Sequence, residues 1–479
     1  MGLACLSLPV TDLVEEFTDM VQRTARQWAY EQKGLFEMLA RGTPPTLREL
    51  SEHFQATRRD LLGAILKGVV EENFGEWLSQ EYAPCPDCRR RLHRKRFEKK
   101  FVSTLQGPFS LERPYFYCPD CRQGFCPVDQ VLGLSAQTHQ FDVQHRVTRL
   151  AARLPFEDAV AAVEELTGMD VSSRFAHDTL TAVGEAAPLE LVIPDAEEIE
   201  RRIAQAKGTS AQPPILVVAA DGAKTPVRPK APRKGKRGPG RYREVRGVRI
   251  YLLDADDEVV PVASWHQIQT AEAFRADLRV IARRIPHDQV RIGLVADGAD
   301  WVWAAMGESF PTGRQVLDFY HGLEHLHTAA RAQYGEGSLE GRQWAESTMV
   351  RLAEGDVGIV LEQLRRLRPR QGTQAAEELR KLIGYLEGQR NRLGYVDALE
   401  TGYPIGSGGI ESANKFVCHA RMKRSGAWWV EESANEMLRV RCAMYNGTYD
   451  RVFAHYAASC SPSAAVPSAA APTLPGTNT

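Results

Sequence analysis

The sequence predicts a multidomain α/β protein, and three observations carry that prediction. Two short apolar runs, Ile215-Leu216-Val217-Val218-Ala219-Ala220 and Arg291-Ile292-Gly293-Leu294-Val295-Ala296, have the length and composition of buried strands, and each is followed by Asp-Gly. Two Cys-Pro-Asp-Cys knuckles bracket a hairpin pattern. Apolar residues recur at helical spacing before residue 80 and again across 322–400. A chain of 479 residues has room for about two to four domains. With 43% apolar and 25% charged residues it has the composition of a globular protein. Lys+Arg 60 against Asp+Glu 61 leaves no net basic field, so any nucleic-acid surface must be a local patch.

Residues 1–79 read as a helical region. Leu13, Phe17, Met20 and Val21 share one face, and Leu61, Leu62, Ile65, Leu66 and Val69 share another. Thr43-Pro44-Pro45-Thr46 breaks the run, and Thr46 is placed to cap the next helix. The first residues, Met1-Gly2-Leu3-Ala4-Cys5-Leu6, lack the charged start and long apolar core of a signal peptide. No apolar run approaches the roughly 18 residues needed to span a bilayer, so no membrane is expected.

Residues 80–135 read as a zinc ribbon. Cys85, Cys88, Cys118 and Cys121 supply four thiolates, which give closed tetrahedral coordination and so a structural rather than catalytic Zn²⁺. Between the knuckles, Phe101 to Leu105, a Gln106-Gly107-Pro108 turn and Phe109 to Tyr117 form a hairpin. Nine cysteines, four of them in these pairs, favour metal in a reducing, cytoplasmic setting over disulfides. Arg89, Arg90, Arg91, Arg94, Lys95 and Arg96 either reach phosphates or form a solvated face. In 136–190, a helix from Phe156 to Leu166 ends at Gly168, and Ser172 caps a second reaching about Val183. This is a helix-turn-helix or a plain αα-hairpin.

Residues 205–321 begin the main α/β domain. The strand Ile215 to Ala220 ends at Asp221. A Pro/Gly/basic segment follows, containing Lys234, Lys236, Arg237 and Arg241, and it suits phosphate contact better than a plain linker. Glu244 to Asp254 and Val259 to Trp265 are two further strands, Ala271 to Ile285 a helix, and Arg291 to Ala296 a strand ending at Asp297. Val316 to His321 is a fifth. Three strands, helix, strand, short helix and strand is the order of a ribonuclease H-like core. Residues 322–400 then form a helical insertion. Residues 401–456 hold the stretch Gly406-Ser407-Gly408-Gly409-Ile410-Glu411-Ser412-Ala413-Asn414-Lys415, where a helix begins at Glu411, and a final helix over 428–456. The Ser/Ala/Pro tail, 457–479, is expected to be disordered.

Asp221 and Asp297 end strands of an open sheet, where functional groups gather, and Glu411 starts a helix. Three oxygen donors of this kind suit a pair of Mg²⁺ or Mn²⁺ ions at a phosphodiester. Lys415, Arg421, Lys423 and Arg424 supply cations beside that acid. Trp301, Trp303, Trp428 and Trp429 are core residues or base-stacking platforms, the last two being the better platforms because they follow the basic cluster.

Asp221-Gly222-Ala223, Asp297-Gly298-Ala299-Asp300-Trp301-Val302-Trp303, Asp318-Phe319-Tyr320-His321 and the stretch from Gly406 to Gly426 together resemble bacterial insertion-sequence transposases of the DDE class. The nearest resemblance is to the ISKra group, related to Mutator-type enzymes. It runs from the zinc ribbon to about Phe453 and covers the first 80 residues poorly. It implies a catalytic triad on Asp221, Asp297 and Glu411, and an Asp-x-x-His motif on Asp318 and His321. It also implies double-stranded DNA as the partner, both element ends and target, with a homodimer or higher homo-oligomer assembled on it. Two other functions stay open: a DNA-binding protein without chemistry, and a nuclease of the same fold that only hydrolyses.

Overall fold

The computed structural model describes residues 10–231 and 238–460. Lys234, Lys236 and Arg237 lie outside these residues, as does the tail beyond Cys460. The chain divides into two compact units, Met1–Thr179 with Phe453–Thr479, and Leu180–Val452. The architecture is mixed α/β.

In the first unit, helices Val10–Glu31, Lys33–Leu39 and Leu47–Asn73 come first. Thr46 caps the third as expected: its Oγ1 accepts from the Glu49 N–H at 3.2 Å, and its own N–H donates to Glu49 Oε2 at 2.7 Å. Five strands follow. β1 (Tyr82–Pro84) pairs with β2 (Arg91–His93), and β3 (Arg96–Ser103), β4 (Pro108–Cys118) and β5 (Gln123–Phe125) form an antiparallel sheet. Val102, Phe109 and Leu111 of this hairpin bury against Val70 of the third helix. Helices Phe156–Thr167 and Ser173–Glu185 match the expected pair, with Gly168 left-handed at φ +68° and the Ser172 hydroxyl accepting from the Phe175 N–H at 3.1 Å. No helix of the described residues is long and apolar enough to cross a membrane.

The second unit is built on a five-stranded mixed sheet: β6 (Ile215–Val227), β7 (Arg241–Leu253), β8 (Val259–Ile268), β9 (Arg291–Ala296) and β10 (Arg314–Leu317), in the spatial order β10-β9-β6-β7-β8. β6, β7 and β8 are antiparallel, whereas β9 and β10 run parallel to β6. One face packs on helices Ala271–Ala282 and Asp300–Ser309, where Phe274 meets Trp301 edge-on and Trp265 Nε1–H donates to Asp277 at 2.8 Å. The other face packs on the segment 408–422 and on helix Glu431–Asn446. There Ala219 is buried with Ile410 and Ala413.

Four expectations need correction. Asp221 does not end its strand: β6 continues to Val227, because its antiparallel pairing with β7 outlasts its parallel pairing with β9, which stops at Ala219↔Val295. Residues 318–321 are not strand. Asp318 caps helix Phe319–Tyr334 by accepting from the His321 N–H at 2.7 Å, so His321 sits in a first helical turn. The last helix is two, Glu431–Asn446 and Tyr449–Cys460, broken by Gly447 at φ +78°. Residues 457–460 therefore belong to a helix and not to the tail.

Candidate metal centres and nucleic-acid interface

The four cysteines are the clearer site. Each knuckle closes with a left-handed arginine, Arg89 at φ +62° and Arg122 at φ +56°, which turns the chain back over the thiols. Cys85 and Cys118 are fully buried with Phe116. Cys85 Sγ lies 3.8 Å from Cys121 Sγ, and Cys88 Sγ 3.6 Å from Cys118 Sγ. Tetrahedral Zn²⁺ with bonds near 2.3 Å would space its sulfurs by about 3.8 Å, so the cluster fits structural zinc. Among the described residues it is the one group of three or more His, Cys, Asp or Glu whose ligand atoms all lie within 4.8 Å of one another. The three acids of the second unit are more open than that.

Asp221, Asp297 and Asp318 are nevertheless level along the sheet. Carrying the β6–β9 register two residues past Ala219↔Val295 sets Asp221 beside Asp297, and Asp318 follows Leu317, which pairs with Ala296. The three aspartates thus stand at one level across three neighbouring strands, Asp221 within β6 and Asp297 and Asp318 just past the ends of β9 and β10. Burial pushes the Asp221 carboxyl up to about 6. The Gly222 N–H opposes this, the charges of Asp297 and Glu411 add to it, and His321 opposes it. Both other acids therefore act on Asp221 through space. Asp297 Oδ1 accepts from the Ala299 N–H at 3.1 Å. Its loop is held by the insertion: Tyr385 Oη–H donates to the Asp297 carbonyl at 3.0 Å, and Gln389 to the Gly298 carbonyl at 3.1 Å.

Glu411 lies on a helix that starts earlier than expected, at Gly408 (Gly408–Ala413), and continues as a π-helical turn, Asn414–His419. Glycine permits this. A Cβ at Gly409 would stand 2.6 Å from the Tyr251 ring, so only a bare backbone can approach the sheet so closely. Glu411 is exposed, with Lys415 Nζ 3.9 Å away. Asp318 ties the elements together: besides capping its own helix, its Oδ2 accepts from the Ser407 N–H at the start of the Glu411 stretch.

The expected DNA-binding cations divide. Lys415, Lys423 and Arg424 are exposed, and Arg241 is exposed beside Glu431 at 4.0 Å. Arg421 is 4% exposed, with its guanidinium over Trp429, so it is a packing residue. Trp429 is buried too, its Nε1–H donating to the Met422 carbonyl at 3.1 Å. Trp428 is half-buried under Arg228.

Sequence reasoning missed two residues beside Asp221. Asn414 Nδ2–H donates to Asp221 Oδ2 at 2.9 Å, and buried His266 joins Asn414 Oδ1 through Nε2 at 3.0 Å. Asn414 stood in the quoted stretch, three residues after Glu411, but nothing in its spacing marked it. Burial brings the His266 ring down to about 4. Its folded value lies below its unfolded one, so the unfolded chain takes up a proton first. Stability is whole above about pH 6.5 and falls as pH drops from there toward 4, by at most about 1.4 kcal/mol per unit. Asp221, raised in the fold, contributes with the opposite sign. The comparison with His266→Gln isolates the histidine: urea unfolding between pH 5 and 7.5 is expected to lose stability more steeply on acidification in the wild type than in the variant.

A scan against protein-family models gives no match, and no curated protein matches the chain.

Proposed function

We propose that the chain is a DDE-class DNA transposase of an insertion sequence, with Asp221, Asp297 and Glu411 as its triad. The observation that carries this reading is the register that sets Asp221 beside Asp297 across β6 and β9, with Glu411 near enough for both acids to raise Asp221. Repulsion among neighbouring carboxylates is relieved by a divalent cation, and oxygen donors suit Mg²⁺ or Mn²⁺. When bound, a pair of such ions supplies positive charge to the attacking and leaving oxygens of an in-line displacement. The chain's own residues do the rest. Asp318 holds the Glu411 stretch by its backbone, Tyr385 and Gln389 hold the Asp297 loop, and His321 acts on Asp221 against the two acids. Lys415, Lys423 and Arg424 offer exposed cations on the Glu411 element for the DNA backbone.

The strand order, with three antiparallel strands and two more parallel to the first, supports a ribonuclease H-like core, and the helical residues 322–400 serve as its insertion. The cysteine cluster is read as a zinc ribbon, and the helices Phe156–Thr167 and Ser173–Glu185 as a helix-turn-helix.

The test uses labelled DNA carrying the inverted repeats that flank the gene, with a target plasmid and Mg²⁺. Cleaved ends joined to target, lost in Asp221→Asn and Asp297→Asn, are expected. Cleavage without joining would replace the transposase with a hydrolytic nuclease, and intact DNA at every metal tested would leave only a binding protein.

A further inference from the structure

The sheet register holds a row whose middle member has no side chain. Asp221 of β6 pairs with Gly247 of β7, and Gly247 with His266 of β8. Directly paired residues present their side chains to the same face. A Cβ at Gly247 would lie 2.4 Å from His266 Cδ2 and 2.5 Å from Nε2, so the imidazole occupies the space over the glycine. Asn414, 4% exposed, fills the remaining gap between the ring and the aspartate.

The chemistry of the partners fixes the direction of the two bonds that run from Asp221 through Asn414 to His266. An ionised Asp221 only accepts, so the NH₂ of Asn414 must face it. The amide oxygen then faces His266, which must carry its proton on Nε2. His266 Nδ1 faces the Ser264 hydroxyl at 3.3 Å, and Ser264 is itself anchored, its N–H donating to Asn446 Oδ1 at 2.7 Å and its hydroxyl lying 3.1 Å from the Val248 carbonyl. The other Asp221 oxygen accepts from the Gly222 N–H at 2.6 Å.

We infer that Asn414 is a positioning residue for the Asp221 carboxylate and that His266 sets the orientation of the Asn414 amide. This rests on the reading of Asp221 as a metal ligand. A ligand's outer partner fixes its orientation and sharpens its affinity. The same segment carries Glu411, so docking it on the sheet both delivers the third acid and orients the first. Gly247 is part of the device, because any larger residue there would push the imidazole away.

The experiment measures Mn²⁺ affinity of the full chain without DNA, by titration calorimetry, alongside urea stability. Asn414→Ala and His266→Phe are expected to weaken Mn²⁺ binding roughly 10- to 100-fold. His266→Gln, which keeps an N–H donor, is expected to stay nearer the wild type. A purely structural histidine would instead lower stability in both His266 variants and leave the Mn²⁺ affinity of the folded protein unchanged. Long-range ¹H–¹⁵N spectra of the wild type provide a readout that needs no variant to fold: an Nε2–H tautomer at His266 supports the relay, and an Nδ1–H tautomer overturns it. If Asp221→Asn abolishes Mn²⁺ binding while Asn414→Ala does not, the positioning role fails alone. If Asp221→Asn binds Mn²⁺ as the wild type does, the metal-site reading fails, and the positioning role with it.

Discussion

Glu411→Gln is expected to abolish strand cleavage and transfer, by several orders of magnitude, while the protein folds and binds DNA normally. The substitution keeps the size of the side chain and removes its charge. Nothing in the fold depends on that charge: Glu411 is exposed, and its contact with Lys415 at 3.9 Å is a surface pair worth little to stability. The loss falls on charge stabilisation of the displacement, where a single preorganised electrostatic element is worth a factor of about 10² to 10³ and a lost metal ligand more. The check is a strand-transfer assay on labelled element ends, with circular dichroism and DNA binding measured on the same preparation. Full activity in the variant would remove Glu411 from the triad. His321→Ala is expected to cost less, because His321 touches Asp221 only through its charge.

Cys118→Ser is expected to unfold the cysteine-bearing segment. Cys118 is wholly buried between Phe116 and the other thiols, and structural zinc supplies on the order of 10 kcal/mol of folding free energy in small domains. The remaining three thiolates would be left without a closed shell. Metal analysis should find one Zn²⁺ per chain in the wild type and none in the variant. Limited proteolysis should then cut the variant near residues 85–125 while the unit Leu180–Val452 stays intact. Wild-type protein free of zinc would contradict the site.

The parts of this structure legible in the sequence are those set by local pattern. The cysteine knuckles, the Thr46 cap, Gly168 as a helix stop and the β9 run from Arg291 to Ala296 all follow from spacing and residue type. What was not legible depends on pairing across long separations. β6 runs through Asp221 because β7 extends alongside it, which the apolar run Ile215 to Ala220 could not reveal. Asp318 reads as strand because Val316 and Leu317 are, until its carboxylate is seen capping the next helix. Asn414 and His266 are ordinary residues in one dimension. Their role depends on Gly247, whose missing side chain matters only once β7 lies between β6 and β8. Arg421 shows the reverse: a cation in a basic run reads as surface, yet packing buries it over the Trp429 ring.

The convergence of Asp221, Asp297 and Glu411 on divalent metal is tested most directly by a structure of the protein on its element ends with Mn²⁺, the ions located by anomalous scattering. The account predicts Mn²⁺ between the two aspartates and Glu411, with carboxylate oxygens about 2.0–2.3 Å from the ions. Glu411 more than about 10 Å from both aspartates in that DNA-bound state would contradict it, because a two-metal site requires shared ligands.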